Sequence, residues 1–470
     1  MDASTIADRL QVTRLATAPD FASLLCALRS RRGLIALDSA AGEPARWSWI
    51  AFEPLAGVGA PSSAATLPEW LAGAPRFDGG EVPGPFAGGF LGALAYDQGV
   101  AGEGQTLPRD PWSGPAVLGG FYTDFFVFDH LEGAAWLVTR GDRDPSQRAE
   151  LLRLAEGARG GEAGAGAFEV QGPLVRRVAP LQHQARIERC RAAIAAGELY
   201  QANLAHPFEA RTAGDPLALY LRLREANPAP YMAYLRDGER ALLSASPELL
   251  FEASPGGDLR ARPIKGTAPR SEDPAADAAL AAGLLASEKD GAELAMIVDL
   301  LRNDLGRVAA IGSVSVDEFP LLRSYAGVHH LMADVRARLA AGRSAGDALL
   351  SLFPGGSITG APKLRAMQLI AEYEREGRGF FTGSLGFLDA RGGACFNILI
   401  RTLEWRAEPQ RGDVPRGELA GRVRYQVGGG ITIGSDALEE ERETLVKGAR
   451  LARALGVSLE AEPETMEESR

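Results

Sequence analysis

The last part of the chain carries three charged residues at a spacing that could serve metal and anion binding. Glu440, Glu443 and Lys447 are separated by three and four residues, so a helix would place them on one face. Two carboxylates beside a cation could hold Mg²⁺ and an anionic ligand, because Mg²⁺ prefers oxygen ligands and usually retains several waters. The same spacing is typical of intrahelical ion pairs on a solvated surface, and the helix alone leaves both interpretations open.

A lysine in the middle of the chain has surroundings that could make it reactive. Lys265 lies between an isoleucine and a glycine in residues 262–270 (RPIKGTAPR), which are predicted to form a loop. A lysine acts as a nucleophile only when its ammonium group loses a proton, which burial or a neighbouring cation promotes. Glu248, which follows a predicted hairpin, could bring a carboxyl group to the same pocket. A solvated loop lysine is the alternative interpretation.

Further candidates are acidic, glycine-rich or imidazole-bearing. Glu293 is predicted to open an apolar-faced helix, where an acidic residue usually complements the helix dipole. Residues 354–363 (PGGSITGAPK) offer backbone amides and hydroxyls to an oxygen-rich anion, without the spacing of a Walker A loop. Residues 428–430 are three glycines inside a predicted strand, which is typical of a close approach by a ligand or backbone. His329 and His330 lie in an apolar setting, where a structural role is the alternative to catalysis.

The hydrophobic pattern predicts the scaffold that must position these residues. Apolar residues at helical spacing predict helices at residues 184–196, 293–305 and 438–455. Alternating or uninterrupted apolar runs predict strands at residues 199–208, 231–235, 241–245, 381–388, 396–403 and 423–433. The Asp237-Gly238 pair between two of these strands indicates a hairpin. Hairpin-linked strands interspersed with helices indicate the α+β class.

The composition is that of an ordinary globular protein. Of the 470 residues, 46% are hydrophobic and 24% are charged, which permits an extensive buried core. A formal net charge of -11 without a domain-wide basic stripe argues against nucleic-acid binding. Three widely separated cysteines fit a reducing cytosol better than a disulfide framework or a zinc site. No signal peptide and no bilayer-length apolar stretch are visible, so we expect a soluble, cytoplasmic protein.

A segment rich in glycine, alanine and glutamate divides the chain. Residues 154–175 begin with LAEGARGGEAGA, which has no hydrophobic period and is predicted to be a linker. It separates an N-terminal region, residues 1–153, from a catalytic domain, residues 176–456, and residues 457–470 are a predicted tail. All candidate residues named so far fall in the predicted catalytic domain.

Taken together, these segments resemble the chorismate-utilising enzymes, and most closely their aminodeoxychorismate synthase component I branch. The matching stretches are YQANLA (200–205), SPELL (246–250), RPIKGTAPR (262–270), ELAMIVDLLRNDLGRV (293–308), GVHHLMA (327–333), FPGGSITGAPKLRAM (353–367), IRTL (400–403) and GGGI (428–431). Residues 37–39 (LDS), 86–97 and 227–235 match more loosely. The resemblance covers nearly the whole chain and implies large mixed or antiparallel sheets that form a two-subdomain sandwich surrounded by helices.

The resemblance implies chorismate as substrate and Mg²⁺ as the cofactor that binds its C1 carboxylate. The cation would be held by Glu293 and Glu443, with Glu440 near it through a water. His330, the histidine immediately before a leucine, matches the family's active-site histidine. The substrate would be contacted by residues from several matching segments: Gln201, Thr267, Ser357, Thr359, Arg401, Gly428, Gly429, Gly430 and Lys447.

Two positions imply which nucleophile acts. In the isochorismate- and salicylate-forming relatives, a water-activating lysine occupies the position of Gln201, and in anthranilate synthases the position of Lys265 is typically alanine. The resemblance therefore implies that Lys265 attacks C2 of chorismate with loss of the C4 hydroxyl, and that ammonia then attacks C4 and expels the lysine. Glu248 would be the acid for the hydroxyl and the base toward ammonia. The product would be 4-amino-4-deoxychorismate, on the way to 4-aminobenzoate and folate.

The resemblance also implies a partner and an accessory pocket. No segment resembles a glutamine amidotransferase, so ammonia is expected from a separate amidotransferase subunit in a heterodimer. Ser39 with Pro230, Tyr231 and Met232 resembles the family's tryptophan pocket, and the role of tryptophan is left open. The alternative within the family is anthranilate synthase component I, which would form anthranilate and pyruvate. The alternative outside catalysis is an inactive relative that serves as a binding or regulatory subunit.

Overall fold

The fold is α+β, with two large sheets and helices on their outer faces. The structure is a computed structural model, which describes residues 10–40, 46–55, 66, 69–70, 81–102, 108–160, 164, 166–325, 328–409 and 419–459. The strands of the described residues are, in chain order, β1 (Gln11–Arg14), β2 (Ile35–Asp38), β3 (Trp47–Ala51), β4 (Gly89–Leu94), β5 (Val117–Tyr122), β6 (Phe125–Asp129), β7 (Ala134–Thr139), β8 (Phe168–Arg176), β9 (Gln201–Gly214), β10 (Tyr231–Asp237), β11 (Arg240–Ser246), β12 (Leu249–Ala253), β13 (Asp258–Arg262), β14 (Ile264–Pro269), β15 (Ser315–Ser324), β16 (Val328–Arg338), β17 (Gly360–Ala361), β18 (Ser384–Asp389), β19 (Ala394–Asn397), β20 (Thr402–Ala407) and β21 (Ala420–Ile431).

Two antiparallel sheets contain all of these strands. In the described part of the chain, the larger sheet has twelve strands in the order β1-β7-β6-β3-β2-β10-β11-β20-β21-β9-β17, with β8 also paired to β9. The smaller sheet has nine, in the order β14-β16-β13-β12-β19-β18-β4-β5, with β15 paired to β16. Both sheets combine strands from before and after the predicted linker, so neither region forms a complete sheet by itself.

The helices cover the outer faces of the sheets. Those of the described residues are α1 (Phe21–Ala27), α2 (Tyr96–Gly102), α3 (Pro145–Gly157), α4 (Pro180–Ala195), α5 (Pro216–Ala226), α6 (Pro274–Leu285), α7 (Glu288–Gly306), α8 (Ala345–Leu352), α9 (Gly356–Thr359), α10 (Lys363–Glu374) and α11 (Ala437–Ala454). α1, α3, α5 and α11 pack on the larger sheet, and α7 and α8 pack on the smaller one.

Strand β6 shows why the sheets form the middle layers. All five of its residues are buried, as expected for a strand that is covered on both faces. Phe126 and Phe128 point into the helix-covered core of the larger sheet. Phe125 and Val127 point into the core between the two sheets. An uninterrupted apolar run is therefore required here, because successive side chains alternate between two dry layers.

Helix α7 shows how the sequence sets one of the site-bearing elements. Ser287 caps its first turn, accepting a hydrogen bond from the backbone N–H of Asp290 at 3.2 Å. Its buried residues recur at helical spacing and pack on the smaller sheet: Leu294, Ile297, Val298, Leu301 and Leu305. This packing fixes the rotation of the helix and hence the direction of Glu293 on its neighbouring face.

Most of the predicted elements are confirmed, with three differences. The α+β class, the helix at the end of the chain and the hairpin around Asp237-Gly238 are confirmed. The predicted loop around Lys265 is wrong, because residues 264–269 form β14. Glu293 does not open its helix, since α7 begins at Glu288. The predicted strand at residues 396–403 is interrupted, with β19 ending at Asn397 and β20 beginning at Thr402.

The predicted linker contains regular structure at both ends. Residues 154–157 are the last turn of α3, and β8 occupies residues 168–176 and pairs with β9. Residues 161–163 and 165 lie outside the described residues. The glycine-rich composition hid both elements, because the pairing of β8 is a long-range contact that leaves little local periodicity. The division of the chain into regions stays a prediction.

Candidate active site

The structure brings the charged candidates from distant parts of the chain into one place. Lys265 on β14 interacts electrostatically with carboxylates and a lysine from three other segments: Glu293 on α7, Glu248 between β11 and β12, and Lys447 and Glu443 on α11. The group is rich in opposite charges at short range, as a site for a polyanionic substrate and a cation requires. Most of the residues predicted from the sequence thus lie at one location.

A glycine bulge positions Lys265. In the ladder between β14 and β16, Lys265 faces Leu331 and Thr267 faces His330, so the register shifts by one residue around Gly266. Gly266 has a positive φ of 74°, a conformation that favours glycine. A bulge of this kind re-aims the neighbouring side chains and is common beside active sites. The spacing of Lys265 and Thr267 in the site therefore depends on one residue without a side chain.

The Lys265 ammonium lacks a fixed partner. Within the described residues it makes no hydrogen bond and no ion pair. Burial lowers the pKa of Lys265, while the charges of Glu293 and Glu248 raise it by less. A lysine with a depressed pKa and a free ammonium has the electrostatic state that a nucleophile or a proton acceptor needs.

Glu248 is buried, and hydrogen bonds hold its backbone in place. Only 6% of the surface of this residue is exposed. Its backbone N–H donates to the Ser246 hydroxyl at 3.2 Å, and its carbonyl accepts from Ile398 at 3.0 Å. Burial raises the pKa of the Glu248 carboxyl, against hydrogen bonds from Ser357 and the Ile264 N–H and the charge of Lys265. A carboxyl with a raised pKa keeps its proton to a higher pH and is better suited to give that proton to a leaving group.

His330 and Thr267 face each other across the ladder, with 3.0 Å between Thr267 Oγ1 and His330 Nδ1. Burial and the charge of Arg401 lower the pKa of His330 to about 4. A neutral imidazole at physiological pH can therefore donate or accept a hydrogen bond without carrying charge. His329 points elsewhere, toward Ser324 and Asp277, and its role is structural.

Three carboxylates from two helices form the candidate metal site. Glu293 interacts electrostatically with Glu440, and burial raises the pKa of Glu293. Glu440 accepts a hydrogen bond from Ser435 at 2.7 Å, and Glu443 forms an ion pair with Lys447 at 2.7 Å. The donors are all carboxylate oxygens, which are the ligands of Mg²⁺, and a divalent cation would relieve the repulsion between Glu293 and Glu440. The chemistry of these donors therefore suits Mg²⁺, and the metal itself stays a prediction.

Two cations are placed to receive the carboxylates of a ligand. Within the described part of the chain, the half-buried Arg401 guanidinium has no hydrogen-bond or ion-pair partner. Its backbone has a positive φ of 50°, an uncommon conformation for a residue with a side chain. Lys447 donates to the carbonyl of Gly428 at 3.2 Å in addition to its pair with Glu443. An unpaired, partly desolvated guanidinium is a strong receptor for a carboxylate.

The three glycines of β21 have different surroundings. A Cβ on Gly428 would lie 2.4 Å from the Leu204 carbonyl oxygen, so this glycine permits close strand packing. A Cβ on Gly429 would lie 3.1 Å from Glu440 Oε2, and one on Gly430 would lie 2.5 Å from Gln201 Nε2. Gly429 and Gly430 therefore leave backbone open toward the candidate metal ligands and toward Lys265.

Gln201 carries the clearest unsatisfied polar group among the described residues of the site. It is fully buried, and neither its amide nitrogen nor its amide oxygen has a hydrogen-bond partner among the described residues. Leaving such a group unsatisfied costs about 1–3 kcal/mol, which a ligand's polar atoms would recover. Ser357 is also buried beside Glu248, whereas the Thr359 hydroxyl donates to the Gly355 carbonyl at 2.9 Å inside its own turn. Thr359 is therefore available to a ligand only as an acceptor.

A separate cavity of about 770 Å³ contains the predicted accessory pocket. Its lining includes all four predicted residues, Ser39, Pro230, Tyr231 and Met232, and none of the charged residues around Lys265. Ser39 donates to the carbonyl of Trp47 at 2.8 Å, so its hydroxyl proton is already engaged. The cavity is a second ligand-sized space that does not include the candidate active site.

One buried polar cluster gave no signal in the sequence. His183, His206 and Glu441 come from α4, β9 and α11, and their ligand atoms lie within 4.8 Å of one another. His183 Nδ1 is 2.7 Å from Glu441 Oε2, and Arg176 pairs with the other carboxylate oxygen at 2.5 Å. The distance between His183 and Glu441 is that of a hydrogen bond, and the Arg176 guanidinium already supplies a positive charge to the Glu441 carboxylate. The cluster is thus a set of ion-paired and hydrogen-bonded side chains that joins α4, β9 and α11. Its members are far apart in the sequence, so no local spacing could have predicted it.

Comparisons with known proteins agree with this geometry. A model of the family described as chorismate binding enzyme matches residues 46–453. The chain is 37% identical over 384 residues to an aminodeoxychorismate synthase of Streptomyces griseus, covering 80% of this chain and 51% of that protein. It is 39% identical over 396 residues to anthranilate synthase component 1 of Streptomyces coelicolor, covering 80% and 74%. It is 35% identical over 383 residues to aminodeoxychorismate synthase component 1 of Bacillus subtilis, covering 80% and 78%.

Solved structures share the architecture. Anthranilate synthase component I from Streptococcus pneumoniae aligns with a TM-score of 0.72 and 29% identity, covering 87% of this chain and 93% of that one. The menaquinone-specific isochorismate synthase from Escherichia coli aligns with a TM-score of 0.72 and 21% identity, covering 96% and 95%. The match spans about half the length of the Streptomyces griseus relative. Among the described helices, none is both long and apolar enough to cross a bilayer.

Proposed function

The chain belongs to the chorismate-binding enzyme family, and from this premise we propose that it converts chorismate and ammonia into 4-amino-4-deoxychorismate. The observation that carries the proposal is the state of Lys265. Its ammonium is partly buried, has no ion pair within the described residues, and lies in the electrostatic reach of a protonatable carboxyl, Glu248. A lysine in this state is suited to covalent chemistry on an electrophilic ring carbon.

Substrate and metal would be held by residues around Lys265. Glu293 and Glu443, with Glu440 beside them, would hold Mg²⁺, which when bound neutralises the C1 carboxylate of chorismate. Arg401 and Lys447 would receive the carboxylates of the substrate. Because the net charge of the chain is -11, these local cations must overcome an unfavourable overall field.

The chemistry would proceed in two displacements. The neutral amine of Lys265 forms a bond to C2, the two conjugated ring double bonds shift to C1=C6 and C4=C5, and the C4–O bond breaks as Glu248 gives its proton to the departing hydroxyl. Ammonia then attacks C4, both double bonds shift back, and the C2–N bond to Lys265 breaks. Glu248, now a carboxylate, takes the proton that the new C4 amine loses. Glu248 thus returns to its starting state at the end of the cycle.

Two relatives suggest different reactions, so the second candidate is anthranilate formation. The anthranilate synthase of Streptomyces coelicolor is as similar to this chain as the aminodeoxychorismate synthases are. The two reactions would use the same anchors and differ in whether pyruvate is eliminated. The presence of Lys265 and of Gln201 favours amination with a lysine nucleophile. Incubation with chorismate, Mg²⁺ and ammonium separates them: fluorescent anthranilate formed without any added lyase would refute our proposal.

We also propose that ammonia reaches this chain from a separate glutamine amidotransferase, in the cytoplasm, for the synthesis of 4-aminobenzoate and folate. The relative from Bacillus subtilis is named component 1 of aminodeoxychorismate synthase, and that name supports a second component as the source of ammonia. Glutamine should support turnover only when an amidotransferase subunit is added, whereas ammonium should suffice alone. Turnover of glutamine by the isolated chain would contradict this arrangement.

A further inference from the structure

The turn that carries Ser357 depends on contacts from outside itself. Helix α9 spans only Gly356–Thr359, and all four of its residues are buried. Strand β17 follows it directly and pairs with β9. A single helical turn has almost no internal hydrogen-bond ladder, so its geometry is set by its neighbours.

Arg378 makes several of these contacts at once. Its guanidinium is 2% exposed and donates to the carbonyl oxygens of Ile358 at 3.2 Å and Asn203 at 2.7 Å. It also donates to both carboxylate oxygens of Glu374, at 2.7 and 2.9 Å, and to the Thr382 hydroxyl at 3.2 Å. The planar guanidinium presents its donors in a rigid fork, so these acceptors are held at fixed relative positions.

Asn203 completes the clamp on the turn. Its side-chain amide donates to the carbonyl of Ser357 at 2.6 Å. Two consecutive carbonyl groups, those of Ser357 and Ile358, are therefore fastened to β9, one by Asn203 directly and one through Arg378. The hydroxyl of the same Ser357 lies close enough to the Glu248 carboxyl to lower its pKa. The clamp and the candidate acid are thus joined through a single residue.

We propose that Arg378, with Asn203, is a positioning residue that holds the Ser357 hydroxyl against the Glu248 carboxyl and so aims that carboxyl at the leaving group. This inference rests on the proposed function for the role of Glu248, but the clamp itself does not. A displacement of about 1 Å in a catalytic group can cost about a hundredfold in rate. A buried guanidinium whose hydrogen bonds all have defined directions can prevent such a displacement.

Hydrogen exchange of the full chain tests the clamp without reference to activity. Arg378→Lys keeps the charge beside Glu374 but replaces the fork with one nitrogen, which cannot reach all of the acceptors. We expect amides of residues 355–361 to exchange at least about tenfold faster in this variant, since local opening there becomes easier. Exchange at the wild-type rate in this segment would overturn the proposal.

A matched control is available in Arg424. It is also 2% exposed and pairs with two carboxylates, Asp110 at 2.7 Å and Glu404 at 3.0 Å, but makes no hydrogen bond to the turn. Arg424→Lys should lower the melting temperature as Arg378→Lys does, yet leave exchange at residues 355–361 unchanged. Equal acceleration in both variants would show a general loss of stability and would also overturn the proposal.

Kinetics then test the link to Glu248. Ser357→Ala and Arg378→Lys should each lower kcat for chorismate by about tenfold or more, with little change in the Mg²⁺ concentration for half-maximal rate. Because both would act through the same contact between Ser357 and Glu248, the double variant should be no slower than the slower single variant. Multiplicative losses would contradict the link. A wild-type chain that consumes no chorismate would refute the proposed function, while the exchange result would still decide the clamp.

If Arg378→Lys fails to fold, Asn203→Ala provides the same test with a smaller disruption. It removes only the amide that reaches Ser357 and leaves the backbone pairing of β9 intact. Faster exchange at residues 355–361 and a lower kcat are expected. Wild-type exchange in this folded variant would overturn the role of Asn203 and, with it, the clamp.

Discussion

The Lys265 ammonium lies 3.5 Å from the point where a methyl group on Gly430 would sit. The same point is 2.5 Å from Gln201 Nε2, so a side chain there would displace a buried amide beside the lysine. The glycine at position 430 of β21 is therefore explained by the space that the site needs, and not by the pairing of the strand. Three glycines in a strand are unusual in a sequence. At Gly430, the lack of a side chain leaves open space beside the candidate nucleophile.

Gly430→Ala should therefore impair activity more than stability. The contact is with the end of a side chain, which can move, but the displaced Gln201 would disturb the Lys265 position. We expect kcat/KM for chorismate to fall by about tenfold or more, with a melting temperature within a few degrees of wild type. Gly434→Ala is the control, because nothing lies within 4 Å of its added methyl group. Equal rates for both variants would contradict the role given to Gly430.

Lys265→Ala should abolish amination while leaving the fold intact. Removal of a partly buried ammonium that forms no ion pair with any described residue is expected to change the free energy of unfolding little. A rate loss of about a thousandfold is expected if the amine forms the covalent bond, because no neighbouring group can replace it. Mass spectrometry of rapidly trapped protein should show a chorismate-derived adduct on the wild-type residue. Full activity of the variant with saturating ammonium would exclude the covalent step.

The rate should depend on pH through the pair formed by Lys265 and Glu248. The lysine must be neutral to attack, so the rate rises as pH increases through its pKa, which burial lowers. The carboxyl must be protonated to act as acid, so the rate falls as pH increases through its pKa, which burial raises. These shifts move the two limbs of a bell-shaped profile toward each other. Glu248→Gln should lose one limb; an unchanged profile would refute the assignment.

Glu443→Gln should weaken Mg²⁺ binding. The carboxylate is half exposed and its ion pair with Lys447 contributes little to stability, so the fold should tolerate the change. We expect the Mg²⁺ concentration for half-maximal rate to rise about tenfold or more, since an oxygen ligand with a full charge is lost. Glu439→Gln, four residues earlier on the same helix, is the matched control. Identical metal titrations for the two variants would remove Glu443 from the ligand set.

His206 should make the fold less stable in mild acid. Burial, with the nearby charges of His183 and Arg176, lowers the pKa of His206 from 6.5 to about 2. Below pH 6.5 the unfolded chain takes up a proton that the folded chain refuses, so stability falls as pH falls. Between pH 7 and 5 this contributes about 2 kcal/mol of lost stability.

His206→Gln removes that contribution, and its free energy of unfolding should depend less on pH over the same range. Urea unfolding of both proteins at pH 7 and pH 5 measures the difference. Parallel pH dependence in the two proteins would contradict the prediction.

The accuracy of the sequence-based predictions varied with the range of the interactions involved. Helix α11 was predicted to within a few residues, because its apolar face and its charged face are both written in local spacing. The hairpin between β10 and β11 was predicted from the Asp237-Gly238 pair, whose Gly238 has the positive φ that such turns need. β14 was missed, because proline and glycine suggested a loop and its pairing with β16 joins residues about 65 apart.

The sequence by itself determined the class of the fold, the family, and which residues could carry the chemistry. It also determined that Glu440, Glu443 and Lys447 share a face, since helical geometry alone requires this. Only the tertiary structure decided that Lys265 is partly buried, that neither Lys265 nor the Gln201 amide has a hydrogen-bond partner in the described part of the chain, and that Arg378 clamps the turn of Ser357. Burial and charge at a site depend on residues that are distant in sequence, and no local spacing records which of them will meet.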